Sequence, residues 1–176
     1  MLDFAKELAA WQPLFTTEAA VCATLAGLLF VALSLHAGSL RDAENTNLRR
    51  LGEHTFADFI LVLFVALFFL VPSATPRVLS EILFLIVAVG SKPFLRVFAQ
   101  ALHDHEARLH RQYLLKRLGL SLLARALLLA GAVSLFLAHD EHVEIMQDLM
   151  FVFSGTTVLL IAATRNAWFL LVHELG

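Results

Sequence analysis

Apolar stretches long enough to cross a bilayer, about 20 residues each, recur along the chain with short polar breaks between them. Five are legible, over 17–37, 56–71, 77–98, 118–138 and 145–172. The breaks carry turn or solvent chemistry: Gly38-Ser39 with the basic positions between Arg41 and Arg50, then Pro72-Ser73 and Pro76, then the charged stretch after Gln100, then His139-Asp140-Glu141. No linker divides the chain and no repeat is evident. The pattern predicts an all-α integral membrane bundle, a single domain over 1–176 with five transmembrane helices. Before the first run, 1–15 reads as a short interfacial helix carrying Asp3, Lys6, Glu7 and Trp11. The stretch 99–117 reads as a basic cytoplasmic helix continuing into the fourth span.

The third run is the one with an internal interruption, Gly90-Ser91-Lys92-Pro93, and it carries Glu81 near its start. Full crossing and a re-entrant or broken helix both fit. Lys and Arg accumulate on the cytoplasmic side of short loops. With five crossings and the N-terminus outside, the inner segments hold Arg41, Arg49, Arg50, Lys92, Arg96, Arg108, Arg111, Lys116 and Arg117, against Lys6 and Arg77 outside. A third run that failed to cross would put the two basic segments on opposite faces. Five spans, N-terminus out and C-terminus in, is therefore the expected topology.

Composition agrees with this reading. Of 176 residues, 59% are hydrophobic and 16% charged, against about 25% charged in soluble domains, and the mean hydropathy is +0.77. A net charge of −2 offers no concentrated basic face for nucleic acid. Cys22 is the sole cysteine, so no intrachain disulfide or thiolate metal site can form.

Candidate chemistry lies inside the spans. On the first, Ala19, Cys22, Ala23, Ala26, Gly27 and Ser34 fall within an arc of about 140°. Small residues of this kind let membrane helices approach closely, so Ala19, Ala23 and Gly27 are expected to form a helix-packing face. On the fifth, Gln147, Ser154, Thr157, Thr164 and Arg165 fall within about 100° of arc, a polar stripe that would line a path or pack as ordinary hydroxyls. Arg165 and, on the fourth span, Arg125 both lie about 12 Å from the inner boundary. An arginine at such depth normally faces a bundle interior and a partner. Asp58 comes in from the same side, so it is expected to pair with Arg165 or Arg125, with His36 nearby. Snorkelling of each arginine to the headgroups is the competing reading.

On the outer side, Glu18 and Glu81 begin their spans, and with Asp140, Glu141, Glu144 and Asp148 they make that mouth negative. His103, Glu106 and His110 share one helix face at the cytoplasmic side, which reads as a solvated face rather than a metal site. No nucleophile elbow, phosphate-binding glycine loop or paired intramembrane Asp motif is present, so neither an enzyme nor a cofactor is expected.

The run Ala23-Thr24-Leu25-Ala26-Gly27-Leu28-Leu29-Phe30-Val31-Ala32-Leu33-Ser34-Leu35, preceded by Trp11, resembles the first-helix signature of small, uncharacterised bacterial multi-pass membrane proteins. The resemblance implies a bacterial inner-membrane location and carries no activity with it. Two functions remain open on the residues. One is a homo-oligomeric, cation-preferring channel, with Glu18 and Glu81 at the outer mouth, Ser154, Thr157 and Thr164 along the path, and Asp58, Arg125 and Arg165 as an inner gate. The other is a non-conducting scaffold or regulator of another membrane complex. Its expected partners are the lipid bilayer and further copies of itself, with inorganic cations as cargo under the channel reading.

Overall fold

A computed structural model describes residues 2–38, 46–72, 75–103, 108–137 and 145–174, and every element in them is helical. In chain order these are α1 (Leu2–Leu35), α2 (Thr46–Phe69), α3 (Pro76–Gly90), α4 (Lys92–His103), α5 (Arg108–Leu137) and α6 (Ile145–Phe169). The chain widens into a π-turn over Leu170–Glu174 at the end of α6. Five stretches are long and apolar enough to cross a membrane: Phe4–Leu35, Arg49–Phe69, Pro76–Arg96, Gly119–Leu137 and Met146–Val172. Helices suit that environment because they satisfy every backbone donor and acceptor within the segment where lipid offers none. Leu28, Phe30, Leu85 and Trp168 all point outward, as a surface bathed in acyl chains requires. The protein is a multi-pass membrane protein.

The segment expected as a separate interfacial helix is instead the beginning of α1. Pro13 lies inside that helix, and Phe4, Leu8 and Phe15 are buried in the bundle. A proline removes one N–H from the ladder, here the donor to the Ala9 carbonyl, and the helix runs on past it; the Thr16 and Thr17 hydroxyls donate to the carbonyls of Gln12 (2.8 Å) and Pro13 (2.9 Å).

The third crossing bends at its interruption. Thr75 caps α3, its hydroxyl accepting from the Val78 amide at 3.3 Å with Pro76 opening the helix. At the other end Ser91 separates α3 from α4. Its amide still donates to Val87 O (3.0 Å) and its carbonyl still accepts from Leu95 (2.8 Å), so the ladder runs on across the joint while Pro93 withholds its own donor. Gly90 makes room there: a Cβ would stand 2.6 Å from Leu61 Cδ1 of α2.

α1 packs on α2 and α6, α3 on α5 and α2, and α4 on α2 and α5, while α5 and α6 run closely together. Two glycines permit that last approach. A Cβ on Gly131 would lie 2.8 Å from Val152 Cγ2 and 3.2 Å from the Val152 backbone nitrogen, and one on Gly155 would lie 3.0 Å from the Leu128 backbone nitrogen. The small-residue face predicted on α1 divides between the bundle interior and its surface. Ala19 is buried, with Phe15, Cys22, Ala26 and Leu29, but Ala23 and Gly27 are exposed, and a Cβ on Gly27 would meet nothing within 4 Å. Phe15 decides the rotation, because its ring packs on Phe69 of α2 (4.9 Å between centroids) and Phe153 of α6 (6.1 Å). Those contacts turn the opposite edge of the helix outward.

Candidate functional site

A buried polar cluster gathers where α2, α5 and the α3–α4 joint meet. Asp58 on α2 and Arg125 on α5 are both buried, and Arg125 Nη2 donates to Asp58 Oδ1 at 2.6 Å. The rest of the guanidinium is satisfied too: Nη1 donates to the Ser121 carbonyl (3.1 Å) and Nε to the Ser91 hydroxyl (3.2 Å). Its flat face lies over the Phe94 ring, 4.3 Å from the centroid, where the ring quadrupole attracts a cation. Asp58 Oδ2 also accepts from Ser121 Oγ at 3.4 Å.

His54 completes the cluster one helical turn before Asp58. The ring is fully buried and its Nδ1 is 3.4 Å from Asp58 Oδ1. Neither ring nitrogen has a hydrogen-bond partner, and the ring meets Phe94 edge-on at 5.6 Å. Local sequence explains the gathering. His54 and Asp58 share a face at i, i+4, Ser121 and Arg125 do the same, and the bend at Ser91 brings Ser91 and Phe94 over the guanidinium.

A second buried site lies along the α1–α6 seam. Glu18 is 5% exposed, and its Oε2 stands 2.9 Å from Thr156 Oγ1 while Thr157 Oγ1 lies 3.5 Å from Oε1. A third joins Asp148 to Ser134 of α5. Ser80 of α3 donates to the Ala132 carbonyl of α5 at 2.8 Å.

Several predicted site residues sit elsewhere than expected. Arg165 and Thr164 are exposed, as is Gln147, and Ser154 is half-buried; on this helix Leu159, Ala162, Ala163 and Asn166 take the inner face. Arg165 is thus outside the Asp58 cluster, about 10 Å from the end of its span, a depth from which a long side chain reaches the interface. His36 bonds within its own helix, Nδ1 lying 3.0 Å from Ala32 O. Glu81 is exposed and pairs with Arg77 at 3.2 Å one turn earlier, so it does not share a site with the buried Glu18. Thr157 alone of the predicted hydroxyl row reaches a carboxylate. Asp140, Glu141, Glu144 and Glu106 lie outside the described residues, as do the side chains of His103 and His110. Among the described residues no group of three metal-ligating side chains assembles.

Sequence reasoning passed over Ser91, Phe94, Ser121 and Thr156, and placed His54 only at a boundary. The usable signal was depth: a charge inside a span requires partners at its own level, and Ser121 and Thr156 lie at the levels of Arg125 and Glu18. The chain matches no protein-family model, no curated protein and no solved structure.

Proposed function

We propose that the protein is a non-conducting scaffold or regulator of a membrane complex, seated in a bacterial inner membrane with its N-terminus outside. The observation that carries this reading is that the buried Arg125, Glu18 and Asp148 side chains each find a polar partner within one chain. Arg125 is matched by Asp58, Ser91 and Ser121, Glu18 by two threonines and Asp148 by Ser134. A side chain engaged in this way holds helices together.

The outward edge of α1 supplies a face for assembly, since Ala23 and Gly27 are exposed with open space above Gly27. Small residues there allow a foreign helix to approach closely. Lys92 and Arg96 on α4 are also exposed, suited to anionic headgroups or an acidic partner surface.

A homo-oligomeric, cation-preferring channel is the second reading. It is favoured by the outward polar row on α6, where Gln147, Thr164 and Arg165 are exposed and Ser154 half-buried, because copies placed around an axis would bring that row onto a shared path. Flux from liposomes containing the purified protein separates the two. The scaffold reading expects silence to sodium, potassium and calcium together with an assembly whose mass in detergent changes with Gly27→Leu. A cation flux lost with Thr164→Leu overturns it in favour of the channel.

A further inference from the structure

The acids buried within the described residues differ in what balances them. Asp58 has the Arg125 guanidinium at 2.6 Å. Asp148 lies in the first turn of α6, where the exposed amides and the helix dipole favour negative charge. Glu18 has neither. It sits in mid-helix, about 21 Å along α1 from Phe4 and about 25 Å from Leu35.

The groups that face it carry no formal positive charge. From α6 come the hydroxyls of Thr156 and Thr157, and from its own helix Cys22, one turn on. On α2, Val62, Val65, Ala66 and Phe69 belong to the same apolar core as Phe15, Ala19 and Cys22 on either side of Glu18. Phe15, one turn earlier, closes against Phe69 and Phe153. An ionised carboxylate in such surroundings carries a large desolvation cost with no counter-charge to offset it.

Counting hydrogens at Thr156 sharpens the point. Its Oγ1 lies 2.9 Å from Glu18 Oε2, 2.9 Å from the Phe153 carbonyl and 3.2 Å from the Val152 carbonyl. A threonine hydroxyl owns one hydrogen, so it cannot donate to the carboxyl and to a backbone oxygen at full strength together. A second hydrogen at this site resolves the conflict. With the acid protonated on Oε2, that O–H donates to Thr156 Oγ1, the Thr156 O–H donates to Phe153 O, and Thr157 donates to the remaining oxygen, Oε1.

We propose that Glu18, with Thr156 and Thr157, forms a proton-binding site between α1 and α6, in which the bound hydrogen is part of the seam. Loss of that proton turns the Glu18–Phe153 side of Thr156 into acceptors facing one hydrogen and leaves a bare charge between the two helices. The seam then loosens. The site is independent of whether the protein conducts, because it describes what the acid holds and not what passes it.

Infrared difference spectroscopy on the full-length protein in lipid, titrated in pH, tests the assignment. The expected result is the carbonyl stretch of a hydrogen-bonded carboxylic acid, downshifted in D2O, absent from Glu18→Gln and displaced in Thr156→Val, which removes the acceptor and leaves the acid. Glutamine keeps the volume and can donate its amide N–H to Thr156, so this variant should fold. Should it not fold, Thr156→Val together with isotope-labelled glutamate carries the assignment. A hydrophobic carbodiimide provides a second readout: the acid gives its proton to a carbodiimide nitrogen, the carboxylate adds to the central carbon, and rearrangement leaves an N-acylurea on Glu18. Adduct at Glu18 that disappears in Glu18→Gln is expected. Absence of an acid carbonyl assignable to Glu18 at every pH where the protein stays folded overturns the proposal, as does a signal that responds to sodium at fixed pH and not to pH itself, which would mark a metal-cation site.

Discussion

Asp58 and Arg125, 67 positions apart in sequence, meet at 2.6 Å with their side chains 0% and 4% exposed. The pair is neutral as a unit, and Ser91, Ser121 and Phe94 occupy the remaining faces of the guanidinium. Breaking it from one side leaves a charge that has neither water nor a partner.

Asp58→Asn is therefore expected to destabilise the bundle by about 3–5 kcal/mol, the range seen when one member of a buried pair is removed. Exchanging the two, Asp58→Arg with Arg125→Asp, should recover part of that loss, giving a coupling energy well outside additivity. Arg165→Gln, at an exposed position on α6 outside this pair, should cost less than Asp58→Asn. Unfolding in mixed micelles titrated with a denaturing detergent measures these variants and the two single exchanges that complete the cycle. A loss from Arg165→Gln equal to that from Asp58→Asn would show that the guanidinium on α6 is the one that matters.

Gly131→Ala and Gly155→Ala are each expected to cost about 1–3 kcal/mol, the range for overpacking a close contact. The new methyl groups would approach backbone nitrogens at 3.2 and 3.0 Å, and backbone cannot rotate aside. Gly27→Ala has open space above it and should be neutral, or gain up to about 1 kcal/mol from helix propensity. The same unfolding assay compares them, and equal losses at the three positions would contradict the packing described.

Phe94→Ala is expected to cost about 3–5 kcal/mol, as for truncation of a buried aromatic. Phe94→Leu keeps most of the volume and removes the ring face beneath Arg125, so it isolates a smaller loss of about 0.5–2 kcal/mol. In an Asp58→Asn background the guanidinium is already mispositioned. The Phe94→Leu increment should shrink there, which a double-mutant cycle reads directly.

Ser80→Ala removes the hydrogen bond to Ala132 O between α3 and α5. Interhelical bonds of this type in membranes average about 0.6 kcal/mol, so a small loss is expected. A loss of several kcal/mol would contradict the single interhelical bond described.

The crossings were legible in the sequence because bilayer thickness imposes a length, and a run such as 118–138 has no other use for so many apolar residues. Depth was legible for the same reason, and depth alone brought Asp58 within reach of Arg125. Rotation was not. In water an apolar face points inward, but lipid accepts Leu28 and Phe30 as readily as the core accepts Leu29, so composition no longer distinguishes the two sides of α1. Hydroxyls mislead similarly. Thr24 and Ser34 bond to their own helix carbonyls, Ala20 O at 2.9 Å and Phe30 O at 2.7 Å, and so face outward at little cost. Thr156, adjacent to the predicted Thr157, was passed over because its importance depends on Glu18, 138 residues earlier.

The glycine notches at Gly131 and Gly155 have a consequence for the antiparallel hairpin formed by α5 and α6. Each notch receives a side chain from the opposite helix, Val152 in one and Leu128 in the other, so the pair acts as two detents cut on opposing rails. A slide by one residue would lift both knobs from their seats at once. Axial alignment of the hairpin is thereby written into the helices themselves, and the same register keeps Asp148 opposite Ser134.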